Sequence, residues 1–304
     1  MKNDSEDVTL SVIFVCRNHS PYVLTAFNSM LEQGLIDLEI LIFDVASDDD
    51  SAEKIIQWRE QHAPNSFFHQ YEENVGIVRV VKDAVARTRG EYLRIISTDD
   101  FFIGQSLRSQ IQLLQQFGPE VALCFADAKL VDQTSKDIGL RKGLDGVDEP
   151  QLVGLHSARR KLMSGNWIAA PTVMLRKAST VDAVNQLDDS IVFEDYQLWM
   201  KLSESFDFVY LPEVVVGYRQ HPASFSSNRE LAFKSLDGEI QTLRRAINAT
   251  PAMGFRALSG SRQIISRSLA VRGFRLSANA FLLAIRGVWL GATIGMARLK
   301  GKRT

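Results

Sequence analysis

Ile95-Ile96-Ser97-Thr98-Asp99-Asp100 decides how the chain is read. Two β-branched apolar residues run straight into two adjacent carboxylates. Like charges side by side repel, and burying either one unpaired costs roughly several kcal/mol. The easy way to keep both is to put them at the exposed carboxyl end of a strand, facing a cation. In open α/β sheets that end is where ligands sit. A hard divalent ion, Mg²⁺ or Mn²⁺, prefers carboxylate oxygens and bridges to substrate phosphates. Asp99 and Asp100 therefore read as a metal–diphosphate site. A turn or helix N-cap is the competing reading of the same pair.

Upstream, the pattern alternates strand and helix. Leu10 to Cys16 is a continuous apolar run suited to a strand buried on both faces. Arg17-Asn18-His19-Ser20-Pro21 breaks it, and a helix carrying Val23, Phe27, Met30 and Leu31 ends near Gly34. Leu38 to Asp44 is a second strand, followed by the polar turn Ala46 to Ser51 and a helix holding Ile55, Ile56 and Trp58. Phe67-Phe68-His69 is a short third strand. Asn74-Val75-Gly76 is a turn, Val78 to Arg89 a helix, and Tyr92 to Ile96 the fourth strand. This succession predicts an α/β fold with a right-handed, mostly parallel sheet. No GxxxxGK[ST] and no GxGxxG follows the first strand, so the standard phosphate loops are absent.

The 304 residues suit one large domain, or one domain with an appendage. Apolar content of 45% against 23% charged is an ordinary globular balance with a sizeable core. The net charge of −1 gives no global field toward nucleic acid. Cys16 and Cys124 each lie in an apolar run and read as buried thiols of a reducing compartment. The N-terminus shows no basic-then-apolar secretory pattern, which makes the expected location cytoplasmic.

The second half is less regular. Val121 to Ala126 and Pro171 to Leu175 are strand candidates, and Asp132 to Pro150 reads as a loop. Glu194-Asp195 precedes Tyr196, Leu198, Trp199 and Leu202 at helical spacing. Phe208 to Tyr218 is β-rich, and Arg219-Gln220-His221 follows.

Eight segments, in order, resemble the non-processive family-2 glycosyltransferases of the GT-A fold. Ser11 to Asn18 stands where that family has a strand ending in "PTYN", and Ser29 to Gln33 resembles its "SxxxQ". Asp44 to Asp49 is similar to "DDGSTD". Asn74-Val75-Gly76 with Arg89-Gly90-Glu91-Tyr92 resembles "NxG…RGEY". Ser97-Thr98-Asp99-Asp100 sits on "DADD", and Pro171 to Arg176 on "TVMFR". Glu194 to Trp199 resembles "EDYDLW", and Tyr218 to Ser226 "YRxHxxSxS". The resemblance covers about residues 9 to 228.

The resemblance implies a donor that is a nucleotide-diphosphate sugar and an acceptor that is a glycan or lipid-linked molecule of the kind built into bacterial surface polysaccharides. Asn18, Asp44, Ser47, Asn74, Asp99 and Arg219 would contact the donor, Asp44 through base or ribose. Asp99, Asp100 and His221 would hold the Mn²⁺ or Mg²⁺, a Lewis acid on the departing diphosphate. Asp195, with Glu194 beside it, would be the base that deprotonates the acceptor for an inverting, in-line attack. Asn166, Trp167 and Trp199 would belong to the acceptor side. Each has a structural alternative: a turn cap for Asp44, an N-cap for Asp195, a backbone-bonded imidazole for His221, a structural arginine for Arg219, and core packing for Trp199.

The chain also departs from the pattern. Val15 and Arg17 replace the proline and tyrosine of "PTYN", Val45 the second acid of "DDGS", and Ser97 the first acid of "DADD". Val81-Lys82 stands where Arg-Asn is frequent. These changes motivate an alternative, a catalytically silent GT-A module that binds a nucleotide sugar or a protein partner. A nucleotidyltransferase would share the sheet and metal but needs a glycine-rich, lysine-bearing first loop, which is missing.

These expectations divide the chain into a GT-A unit, 1–228, and a C-terminal helical region, 229–304. In the latter, Phe233, Leu236, Ile240, Leu243 and Ile247 form a seam that packs on the catalytic domain or on a second copy as a homodimer. Ala278 to Ala297 is apolar except for Asn279, Arg286 and Thr293, which line one stripe. Arg286 at its middle would cost about 2.5–3.5 kcal/mol in a membrane span. With the basic end Arg298, Lys300, Lys302 and Arg303, a helix lying on the cytoplasmic membrane surface is expected, with a helical hairpin packed on protein as the alternative.

Overall fold

Successive residues of Leu10–Cys16 (β1) face different apolar layers: Ile13 joins one and Val12 and Phe14 the other, all fully buried. That two-sided burial is what the unbroken apolar run dictates. The computed structural model describes residues 8–35, 37–192, 194–221 and 229–249. After β1 come Val23–Leu31 (α1), Leu38–Val45 (β2), Ser51–His62 (α2), Phe67–Tyr71 (β3), Ile77–Arg87 (α3) and Tyr92–Ser97 (β4). Phe101–Phe102 (β5), Ser106–Gln115 (α4), Val121–Val131 (β6), Asp137–Arg141 (β7), Gln151–Val153 (β8) and Leu155–Leu162 (α5) follow. The chain continues through Met174–Arg176 (β9), Lys177–Asn185 (α6), Glu194–Leu202 (α7), Asp207–Arg219 (β10) and Arg229–Ala249 (α8).

The strands form one sheet in the order β3-β2-β1-β4-β9-β6-β10-β5, with β7 added to β6 and β8 to β10. β1, β2, β3 and β4 pair in parallel, as do β6 and β10, and β9 runs antiparallel between the two groups. The sheet is therefore mixed but mostly parallel. The carboxyl ends of β1, β2, β4, β6 and β10 share one edge. One apolar layer gathers residues of α1, α2 and α4, and the other residues of α3, α5, α6, α7 and α8. Gly90 is required where the chain enters β4: a Cβ there would stand 2.5 Å from the Ser11 backbone nitrogen.

Two expectations need correction. β6 does not stop at Ala126 but runs to Val131, and Asp132 to Pro150 is not all loop, because β7 pairs back on β6. β7 is mostly exposed, so no apolar alternation marks it. Its turn is closed by Asp132, whose Oδ1 accepts the Thr134 and Lys136 N–H groups at 2.8 and 3.0 Å. At the C-terminal end, Ile240, Leu243 and Ile247 of α8 share an apolar layer with Tyr196 and Trp199 of α7, so this part of the seam packs on its own chain. Ala278 to Ala297 and the basic end lie outside the described residues. Among the described residues, no helix is long and apolar enough to cross a membrane.

Candidate active site

Three loops at the carboxyl edge of the sheet meet at Asp99. The β4 ladder to β1 extends one residue, with Thr98 N–H donating to Val15 O at 3.0 Å, and a turn follows in which Asp100 N–H donates to Ser97 O at 3.1 Å. This turn gives the adjacent acids different partners. Asp99 Oδ2 lies 3.1 Å from His221 Nε2 and 3.8 Å from His19 Nε2. Asp100 Oδ1 accepts the Arg219 backbone N–H at 2.8 Å in a buried site.

His19 follows β1. Its N–H donates to Ser51 Oγ at 3.0 Å, and its carbonyl accepts Tyr22 and Val23 N–H at the entry to α1. Its Nδ1 lies 3.0 Å from Thr98 Oγ1. When that nitrogen carries the proton, the Nε2 lone pair is left facing Asp99. His221 follows β10, with its ring centre 5.3 Å from that of Tyr22, and the Arg219 guanidinium lies 4.5 Å from the centre of the Tyr22 ring.

His19, Asp99 and His221 each offer a ligand atom, all within 4.8 Å of one another. Ligands about 2.1 Å from an ion at tetrahedral angles lie about 3.4 Å apart. The observed 3.1 and 3.8 Å separations bracket that value. Among the described residues, Asp99 Oδ1 is buried without a hydrogen-bond partner. The donor set thus fits a divalent cation. Burial works against the Asp99 charge, but the His221 hydrogen bond and nearby His19 overcome it and hold the carboxyl at about 2. Burial lowers the His19 imidazole, which favours the neutral, ligating form.

Asp100, expected beside Asp99 as a ligand, stands outside this cluster. Its Oδ1 is taken by Arg219, and burial followed by the Asp99 charge raises its carboxyl well above the ordinary range. Arg219, expected on the donor, is also redirected. Its Nε donates to the Asp99 carbonyl at 2.8 Å and its Nη1 to the Asp132 carbonyl at 3.0 Å and Ser135 Oγ at 2.9 Å. It fastens the β6–β7 turn to the β4 turn.

The expected donor-side residues shape loops. Asp44 is fully buried, with Oδ1 accepting the Ser47 hydroxyl at 2.5 Å and Oδ2 the Ser47 N–H at 3.1 Å. That is the turn cap, and it leaves Asp44 no surface for a nucleotide. Ser47 Oγ also accepts Asn18 N–H, and Asn18 Oδ1 accepts Asp48 N–H, both at 2.9 Å, tying the first two loops together. Asn18 and Ala46 have φ of 57° and 53°. Asn tolerates this left-handed conformation, whereas Ala is strained there. Asn74 is exposed, and its Oδ1 accepts Gly76 N–H at 3.1 Å.

The second acid pair opens α7. Asp195 Oδ1 accepts Tyr196 N–H at 2.6 Å, and Oδ2 accepts Asn166 Nδ2 at 2.8 Å. Both acids keep some accessible surface while protein crowds them. Burial, then the Asp195 charge, pushes Glu194 up to about 8. Burial also raises Asp195, against the Asn166 hydrogen bond. Tyr218 of β10 lies within electrostatic reach of both pairs. Burial raises its phenol to about 12, with the charges of Asp100, Asp195 and Asp99 adding to the rise and Arg141 opposing it.

Of the expected acceptor residues, Asn166 meets the second pair directly. Trp167 packs edge-on against Phe125 at 4.8 Å with Lys161 Nζ 4.3 Å over its ring. Trp199 does not reach the site: at 3% exposure it is part of the core under α7. His19 was absent from the expected set. Its only sequence signal is a position three residues past a buried strand, inside a segment that reads as a strand breaker.

The sequence pattern described as glycosyl transferase family 2 matches residues 11–178, more than half of the chain. An uncharacterized glycosyltransferase of Rickettsia typhi is 22% identical over 225 residues, covering 73% of this chain and 67% of that protein. Among solved structures, Staphylococcus aureus TarS residues 1–349 in complex with UDP-GlcNAc aligns with a TM-score of 0.58 at 15% identity, over 96% of this chain and 92% of that one. The mannosyltransferase PcManGT of Pyrobaculum calidifontis, in complex with GDP-Man and Mn²⁺, aligns with a TM-score of 0.59 at 13% identity, over 92% and 87%. The fold is that of the GT-A glycosyltransferases, and with the family's sequence pattern spanning the sheet from β1 to α6, the chain belongs to glycosyl transferase family 2.

Proposed function

We propose that this glycosyltransferase is an inverting, metal-dependent enzyme that moves a sugar from a nucleotide-diphosphate donor to a hydroxyl of a glycan or lipid-linked acceptor. The observation that carries the reading is the division of labour between the acid pairs. Asp99 is held ionised beside two imidazoles, whereas Asp195 is held by Asn166 where burial raises its affinity for a proton. Asp195 is the base. Its Oδ1 is fixed by the helix backbone and its Oδ2 by Asn166, so the carboxylate is oriented before the acceptor arrives. Glu194, protonated at neutral pH, limits the negative charge beside that base. His19, Asp99 and His221 would hold the divalent ion, which supplies charge stabilisation for the leaving diphosphate. The neighbours' complexes with UDP-GlcNAc and with GDP-Man and Mn²⁺ support this kind of donor. The apolar segment Ala278 to Ala297 with its basic end supports work at the cytoplasmic membrane surface, where lipid-linked acceptors are found.

A thermal-shift panel of nucleotide diphosphates and their sugars, with and without Mn²⁺, tests the reading. The expected result is a metal-requiring shift with one nucleotide that disappears in Asp99→Ala and persists in Asp195→Asn, which has lost transfer. A well-folded sample that responds to no nucleotide overturns it in favour of a silent GT-A module, the reading that Val45, Ser97 and the buried Asp44 favour.

A further inference from the structure

We propose that His19 is a third protein ligand, so that the site is a two-histidine, one-carboxylate face that takes an imidazole-tolerant cation, Mn²⁺ or Co²⁺, ahead of Mg²⁺ and holds it without nucleotide. This rests on the metal-dependent reading above and adds to it the ligand set and the class of ion.

Four observations carry it. The second acid of the pair does not join the group of ligand atoms formed by His19, Asp99 and His221, and its Oδ1 accepts the Arg219 backbone N–H within a buried site. An all-carboxylate set suited to Mg²⁺ is therefore not what the chain presents, and imidazole ligands favour transition metals. His19 is also aimed. Thr98 Oγ1 holds its Nδ1 at 3.0 Å, and Ser51 fixes its backbone, which leaves Nε2 on the Asp99 side. A partner on the far ring nitrogen is the usual arrangement behind a ligating histidine. Third, the rings of His19 and His221 lie 6.2 Å apart at 89°, with Asp99 Oδ2 within reach of both. Fourth, among the described residues, Asp99 Oδ1 is buried in the same place without a hydrogen-bond partner. Three protein ligands on one side of an ion retain it on their own and leave its remaining positions open for oxygen ligands. A site with fewer protein ligands would need the diphosphate to complete it.

The test is Mn²⁺ binding to the full-length, metal-stripped protein in the absence of nucleotide, followed by the loss of the free-ion electron paramagnetic resonance signal. Mg²⁺ is added as competitor, and Co²⁺ absorption reports imidazole ligation. The expected result is one Mn²⁺ site that a tenfold excess of Mg²⁺ does not empty. In His19→Ala, Mn²⁺ affinity falls by about tenfold or more, and the preference over Mg²⁺ narrows. Thr98→Val keeps the ligand but removes its anchor, and is expected to weaken Mn²⁺ by a smaller factor. It serves as the readout if His19→Ala does not fold. Equal Mn²⁺ affinity in wild type and these variants overturns the proposal, as does absence of binding until nucleotide is added. Either failure can occur with sugar transfer intact. Conversely, nucleotide-free Mn²⁺ binding with no response to any nucleotide sugar leaves this inference standing and removes the transferase reading.

Discussion

The chain holds two pairs of adjacent carboxylic acids, Asp99–Asp100 and Glu194–Asp195, in opposite surroundings. At the first pair a strand-end turn splits the acids. One is bonded to an imidazole and held at about 2, and the other is turned onto a backbone N–H and raised. At the second, a helix start keeps both acids together, with the Asn166 amide on Asp195, and both are raised. Adjacency alone therefore does not fix the chemistry of two acids. Imidazole neighbours make one acid fit to share an ion, and crowding by protein makes a pair fit to take up a proton.

The sharpest way to break this contrast is to neutralise one acid at each site. Asp195→Asn is expected to lower kcat by about 10³-fold or more while metal-dependent donor binding survives. Asp99→Asn is expected to lose the metal-dependent binding itself. Steady-state kinetics paired with calorimetric titration of the donor distinguish them, and identical behaviour of the two variants would erase the contrast. Next in size is Arg219→Ala. It removes the guanidinium that joins the Asp99 carbonyl to the Asp132–Ser135 turn and leaves Asp100 in a buried site without its nearby cation. Denaturant unfolding is expected to show a loss of about 3 kcal/mol. Arg219→Lys should recover little of it, because one ammonium cannot span those acceptors.

Glu194 and Asp99 also respond to pH with opposite sign. Glu194 rises from 4.5 to about 8 on folding, so the stability it contributes is complete below about 4.5 and fades as pH climbs toward 8. Asp99 falls from 3.8 to about 2, so its contribution is present above 3.8 and lost as pH drops toward 2. Thermal unfolding of metal-free Glu194→Gln is expected to vary less than wild type between pH 5 and 8. A finer test is Asn166→Ala. Without its amide, Asp195 gains further affinity for a proton, so the acid limb of the rate profile should move up, with kcat reduced about tenfold. The smallest effect is a control in the loop after β2. Ala46→Gly relieves a left-handed alanine and should stabilise the chain by about 1 kcal/mol without moving either pH response.

The fold was legible where burial is two-sided. Strands such as Leu10–Cys16 and Leu38–Val45 advertise themselves as apolar runs, and the turns between them carry proline, glycine and acids. It was not legible at Asp137–Arg141, a strand whose side chains are mostly in solvent and which is held to β6 by its backbone ladder and one exposed ion pair, Lys129–Asp137. The site followed the same division. Asp99, His221, Asp195 and Asn166 were picked out, and the structure brings each into one of the two acid clusters. The orientation of Asp100, the burial of Asp44 and Trp199, and the part played by His19 depend on which way a side chain leaves a turn or a helix. One residue's identity does not encode that.

The Asp99 cluster also says something about when the molecule is complete. His19 and Thr98 are 79 positions apart in the chain, and Asp99 and His221 a further 122. Contacts of such separation close late, because the loop entropy must be met before they form. The last strand of the sheet must be seated before His221 can meet the other two. Capture of a coloured or paramagnetic ion during refolding would therefore time the arrival of β10, and a saturating ion would act as a clasp, slowing the escape of that strand in the finished protein.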